Sequence, residues 1–194
     1  MFRVDRLILT HLDADHCNGA AQLLSRIRVD VLYLPLPAIR EDGAMLRTIR
    51  EAAREAGTQI KFVCEDMEFA AENGRITIFH PDLRESGNNG GLCVLASHEK
   101  YDILITGDLT AQAEYRLLSL HTLPQAAVLV AGHHGAATST SEALLRAVRP
   151  EAVFISAGAD NRFGHPAAQT LARIRQSGAA VYRTDLSGTI TIRG

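Results

Sequence analysis

No stretch of this chain approaches the roughly 20 consecutive apolar residues needed to cross a bilayer, and no signal-peptide pattern opens it. These residues are therefore expected to form a soluble segment with no transmembrane span. There is no C-x-x-C pair either: Cys17, Cys64 and Cys93 are odd in number and far apart. That argues against a disulfide framework and a cysteine zinc site, and predicts three free thiols, buried or half-buried. Basic excess is missing as well. With 20 Lys and Arg against 22 Asp and Glu the formal charge is −2, so no global basic surface attracts nucleic acid. A polyanionic substrate would have to be held by local positive charge or by bound cations.

What is present is a chain of 194 residues, 46% hydrophobic, enough for a substantial core. Apolar periodicity predicts strands over 5–9, 29–34, 59–64, 75–79, 92–97, 101–106, 126–131, 152–156, 180–183 and 189–192. Helices are predicted over 20–27, 41–56, 111–119, 141–148 and 166–176. Gly57 suits a helix C-terminal cap, Pro166 a first helical turn, and His98-Glu99-Lys100 a hairpin turn. Strands alternating with helices in the second half, and hairpins in the middle, predict one layered α/β domain over 1–194 with a mixed sheet.

The chemistry concentrates at predicted strand ends. Thr10-His11-Leu12-Asp13-Ala14-Asp15-His16 places two imidazoles and two carboxylates within six positions, directly after Leu7-Ile8-Leu9. Helix capping would need only one of them, so divalent metal binding is the first expectation. Gly107-Asp108, Gly132-His133-His134-Gly135 and Asn161-Arg162-Phe163-Gly164-His165-Pro166 follow three further strands. In α/β sheets ligands gather at the carboxyl ends of strands. Four such ends bearing His or Asp suit a metal-activated attack of water on an ester, phosphodiester or amide. His98 and His121 are read as solvated surface residues, and His80 is left open.

Taken together, His11-x-Asp13-x-Asp15-His16, Gly107-Asp108, His133-His134-Gly135 and Gly164-His165-Pro166 resemble the metallo-β-lactamase superfamily. The Asn88-Asn89 loop, Thr138 to Ser141 and Arg183-Thr184-Asp185 extend the resemblance toward the carboxy-terminal domain of ComEC-type DNA-uptake proteins. The resemblance implies an αββα four-layer sandwich holding one or two divalent metals. It implies that Asp15, His16 and His165 hold one metal and that His11 and Asp13 help hold another, with Asp108 bridging. Asp15, His133 or His134 would handle protons, and Asn161, Arg162 and Arg183 are candidates for substrate contact. Asp13 stands where the superfamily has histidine, and Asn88-Asn89 lies where another histidine is usual. Oxygen in place of nitrogen favours manganese or magnesium, with zinc also in play. Such domains follow a membrane channel, outside the cytoplasm, and are proposed nucleases on the DNA strand that is not imported; a cytoplasmic place is expected otherwise. Alternatives are hydrolysis of a small ester or thioester, or a non-catalytic remnant binding DNA or a partner. Relatives carry several strands before the signature, so an amino-terminally incomplete domain is expected.

Overall fold

The computed structural model describes residues 2–41, 43–71, 73–98 and 101–192. In chain order the first half forms β1 (Arg3–Ile8), α1 (Ala14–Cys17), α2 (Ala20–Arg26), β2 (Arg28–Pro35), α3 (Ala38–Glu41), α4 (Ala44–Ala56), β3 (Gln59–Val63), β4 (Met67–Ala71), β5 (Gly74–Phe79) and β6 (Cys93–His98). The second half forms β7 (Asp102–Ile105), α5 (Ala111–Leu120), β8 (Val128–Val130), α6 (Glu142–Val148), β9 (Ala152–Ile155), α7 (Ala168–Gln176), β10 (Ala180–Arg183) and α8 (Thr184–Ser187).

Two sheets result. A parallel three-stranded sheet has the order β1-β2-β3, and a mixed seven-stranded sheet has the order β10-β9-β8-β7-β6-β5-β4. In the larger one β7 to β10 are parallel, while β4, β5 and β6 form an antiparallel meander. Side chains alternate across a strand, so each strand can feed two cores. In β2, Leu32 and Leu34 face α2 and α4, while Val31 and Tyr33 face the other sheet with Ile78 and Phe69. The outer face of the large sheet buries Leu104, Leu129 and Val153 against α5, α6 and α7. Each fully buried Leu, Ile or Val contributes about 1.5–3 kcal/mol. The layers are helix, sheet, sheet, helix, as the αββα expectation requires.

Four local expectations need correction. The helix expected over 41–56 begins at Ala44, because Gly43 stands in extended backbone as its cap (φ −72°, ψ 159°). The helix expected from Pro166 begins at Ala168, and the His165–Pro166 bond before it is cis. No strand forms over 189–192; residues 184–187 make a helical turn and Gly188, at φ 68°, redirects the chain. β4 is an unforeseen strand, its Met67 and Phe69 turned inward and Glu68 outward. Glu99 and Lys100 of the expected hairpin turn lie outside the described residues. Of the thiols, Cys17 and Cys93 are buried, but Cys64 is exposed, one residue beyond the end of β3.

Candidate metal centre

Loops leaving β1, β7, β8 and β9 meet at the carboxyl ends of those strands. The first turns at once into α1, with Asp13 as its cap in extended backbone. Cys17 anchors this turn: it sinks into the helix-side core and its thiol donates to the Asp13 carbonyl at 3.1 Å. Burial and the nearby Asp13 push that thiol up to about 11, so it packs and does not react. Leu92 N–H donates to the Thr10 carbonyl at 2.8 Å, fastening the loop to the larger sheet.

Asp108 stands at the middle, 3% exposed. Its Oδ1 lies 3.1 Å from His16 Nε2. Its Oδ2 lies 3.7 Å from His11 Nε2, 3.6 Å from His133 Nε2 and 4.0 Å from His134 Nε2. Gly107 permits this approach, since its φ is 55° and a Cβ there would meet the Thr10 side chain at 3.0 Å. His134 Nε2 in turn lies 3.0 Å from Asp15 Oδ2 and 3.3 Å from His16 Nε2. Asp15, His16, Asp108 and His134 thus offer four donor atoms within 4.8 Å of one another.

The histidine pair is held in strained backbone. His133 (φ 49°) and His134 (φ 53°) both occupy the left-handed region, at roughly 1–2 kcal/mol each. Gly135, at φ 80°, closes the turn against Pro166, where any Cβ would come within 2.7 Å. The following segment is gripped from both sides. Buried Glu114 of α5 accepts from Thr140 N–H at 2.6 Å and Ser141 N–H at 2.7 Å. Arg173 of α7 donates to the Ser139 and Thr140 carbonyls at 2.9 Å each. Thr140 Oγ1 then accepts from Gly132 N–H at 3.0 Å.

Electrostatics follow the geometry. The hydrogen bond that His16 donates to Asp108 raises His16 above its ordinary value, while burial and the neighbouring His16 lower His11. Burial alone would raise the Asp108 carboxyl, but His16, His11 and His133 outweigh it and hold it low. Burial and the neighbouring His133 likewise lower His165. His11 Nε2, His133 Nδ1 and His165 Nδ1 are buried without a hydrogen-bond partner. Each such orphan costs about 1–3 kcal/mol. His134 Nδ1 lies 2.8 Å from the Ser156 carbonyl, which can only accept, so Nδ1 carries hydrogen and Nε2 points its lone pair at the cluster. Metal-binding imidazoles are oriented in this way. Of the orphaned nitrogens, His11 Nε2 faces the Asp108 carboxylate at 3.7 Å, and an unpartnered buried nitrogen beside an ionised carboxylate fits a divalent cation.

The expected residues are not all placed alike. His11, His16, Asp15, Asp108, His133 and His134 gather. Asp13 sits at the rim, more than half exposed, 4.0 Å from His11 Nε2. His165 stands beside the group, its ring 5.7 Å from that of His133. Asn161, expected at substrate, is occupied within its own loop: Nδ2 donates to the His165 carbonyl at 2.6 Å and Oδ1 accepts from His165 N–H at 2.9 Å. Arg183 is forked onto Asp185, at 3.0 and 2.5 Å. Arg162 remains exposed, its guanidinium 5.0 Å from the centre of the Phe163 ring. Phe163 and Glu114 carry no signal in a motif of their own, although Phe163 lies inside the Asn161–Pro166 segment.

The model of the Metallo-beta-lactamase superfamily matches residues 2–159. The chain is similar to ComE operon protein 3 of Bacillus subtilis (strain 168), 32% identical over 98% of this chain and 25% of that protein. It is similar to Competence protein ComA of Neisseria gonorrhoeae, 34% identical over 97% of this chain and 25% of that protein. The chain therefore spans about a quarter of the length of these relatives. Among solved structures, CmlA, a diiron β-hydroxylase from Streptomyces venezuelae, superposes with a TM-score of 0.61 at 16% identity. That match covers 93% of this chain and 44% of the other, and it speaks to the fold alone.

Proposed function

The chain belongs to the metallo-β-lactamase superfamily, and from that premise we propose that it is a metal-dependent phosphodiesterase cutting DNA during uptake. The observation that carries the reading is Asp108, one buried carboxylate faced by four imidazoles from two other loops. Asp15, His16, Asp108 and His134 would hold a divalent cation, with His11, Asp13, His133 and His165 available for a second. Such a cation supplies a Lewis acid and an acidified water. The carboxylates favour manganese or magnesium, and the imidazoles leave zinc as the alternative.

Asp15 is the proton handler of this reading, because its side chain is 62% exposed and its Oδ2 stands 3.0 Å from His134 Nε2. His133 and His134 are its alternates. A pocket of about 250 Å³ opens beside the cluster, lined by Asp15, His134, Asn161, Phe163 and His165 among others. Phe163 is 68% exposed at its mouth, with the Arg162 guanidinium over the ring. An exposed aromatic beside a cation suits an unpaired base and its phosphate. A relative's name as a competence protein, with the resemblance to DNA-uptake proteins, favours DNA as substrate and a place beside a membrane channel, outside the cytoplasm. Among the described residues no helix is long and apolar enough to cross a membrane.

The test is cleavage of single-stranded DNA with manganese. Activity is expected in the parent and lost in Asp108→Ala and Asp15→Ala. Variants that cut as well as the parent would sink the reading. Hydrolysis of a p-nitrophenyl ester but not of a phosphodiester would favour a small-ester substrate. A purified chain that takes up no stoichiometric metal would favour a binding role.

A further inference from the structure

The sheet edge that carries Asp108 carries a second group of the same residue types. β5 is antiparallel to β6 and β6 to β7, so β5 and β7 end at one edge, two strand spacings or roughly 10 Å apart. His80 follows β5 directly. Asp66 immediately precedes β4, which is antiparallel to β5 and so begins at that edge. His121 caps the carboxyl end of α5. His121 was expected in solvent, but its side chain is only 6% exposed, because the helix end brings it against Phe79 and His80.

The three side chains converge. Asp66 Oδ1 lies 2.7 Å from His80 Nδ1 and Asp66 Oδ2 lies 3.0 Å from His121 Nδ1. All three donor atoms lie within 4.8 Å of one another. Asp66 is the exposed member, its side chain 44% accessible.

The ring hydrogens of His121 supply the sharper clue. Its Nε2 lies 3.3 Å from the His80 carbonyl oxygen, which can only accept, so Nε2 carries a hydrogen. In a neutral imidazole Nδ1 then presents a lone pair, and here it faces a carboxylate oxygen at 3.0 Å. Two lone pairs confront each other. A cation between them removes the conflict, and a far N–H on a backbone carbonyl is the usual support of a metal-binding histidine.

We propose that Asp66, His80 and His121 form a second cation site, separate from the Asp108 cluster, that takes zinc. Two imidazoles and one carboxylate match the donor set of zinc sites with three protein ligands. The site fastens the start of β4, the end of β5 and the end of α5 to one another. It serves the fold and takes no part in the hydrolysis proposed above.

The test is zinc uptake by the whole chain, by equilibrium dialysis and elemental analysis. Asp66→Asn and His80→Ala, chosen because both positions reach solvent, are expected to bind one zinc fewer than the parent while keeping the parent's circular dichroism. Zinc is also expected to raise the melting temperature of an Asp108→Ala variant, and to lose that effect when Asp66→Asn is added. If Asp66→Asn and His80→Ala bind as much zinc as the parent, the proposal is wrong, and Asp66 is held by a protonated His121 instead. Loss of DNA cleavage elsewhere would leave this result untouched.

Discussion

Two clusters of imidazole and carboxylate share one edge of the seven-stranded sheet, and they are built in opposite ways. Around Asp108 the carboxylate is buried and several histidines reach in from loops. Around Asp66 the carboxylate reaches solvent and a buried histidine supports it from below. The first rests on positive-φ histidines, close-packed Gly107 and Gly135, and a segment clamped by Glu114 and Arg173. The second is formed by the ends of regular elements, β4, β5 and α5, with no positive φ among its three members. Backbone strain gathers where geometry must be held for chemistry. Its absence at Asp66 marks a site that needs only to hold.

Removing one member of each cluster should separate them. Asp108→Ala is expected to lower manganese-dependent DNA cleavage by about a thousandfold or more, since it takes away the shared cation donor. Asp66→Asn should leave the rate within about twofold, measured in the same assay. Equal losses in both would erase the distinction drawn here. Glu114→Gln should destabilise the fold by about 1–3 kcal/mol in urea, because an amide N–H would face a backbone N–H in a buried place. Its activity should fall with that loop, while zinc uptake at Asp66 persists. Phe163→Ala should raise KM for single-stranded DNA about tenfold and leave KM for a small phosphodiester unchanged. The smallest effect is on stability. His133→Gly should gain up to about 1.5 kcal/mol, the relief of roughly 1–2 kcal/mol of strain less roughly 0.5–1 kcal/mol of added chain entropy.

The first cluster can be read in the sequence because its candidate ligands are adjacent, or sit beside glycine, at the ends of apolar strands. His11 to His16 need no folding to be seen as a group. Asp66, His80 and His121 are single residues 14 and 41 positions apart, and only the meander and the end of α5 bring them together. One signal was available: His80 follows a strand as Asp108, His133 and His165 do. β4 is missed because an edge strand with one inward face shows just two apolar residues, Met67 and Phe69, among polar and small ones. The layered α/β class follows from the alternation of strands and helices, and the αββα order from the family resemblance. The roles of Asn161 and Arg183 do not, since nothing in the sequence says that each is engaged by its own neighbours.

The central claim is that a cation sits on Asp108. An anomalous difference map across the manganese edge, from crystals grown with manganese, tests it most directly. The account predicts a peak bounded by Asp108, His16 and His134. Manganese absent from that position, in crystals of a chain that still cuts DNA with manganese, would contradict it.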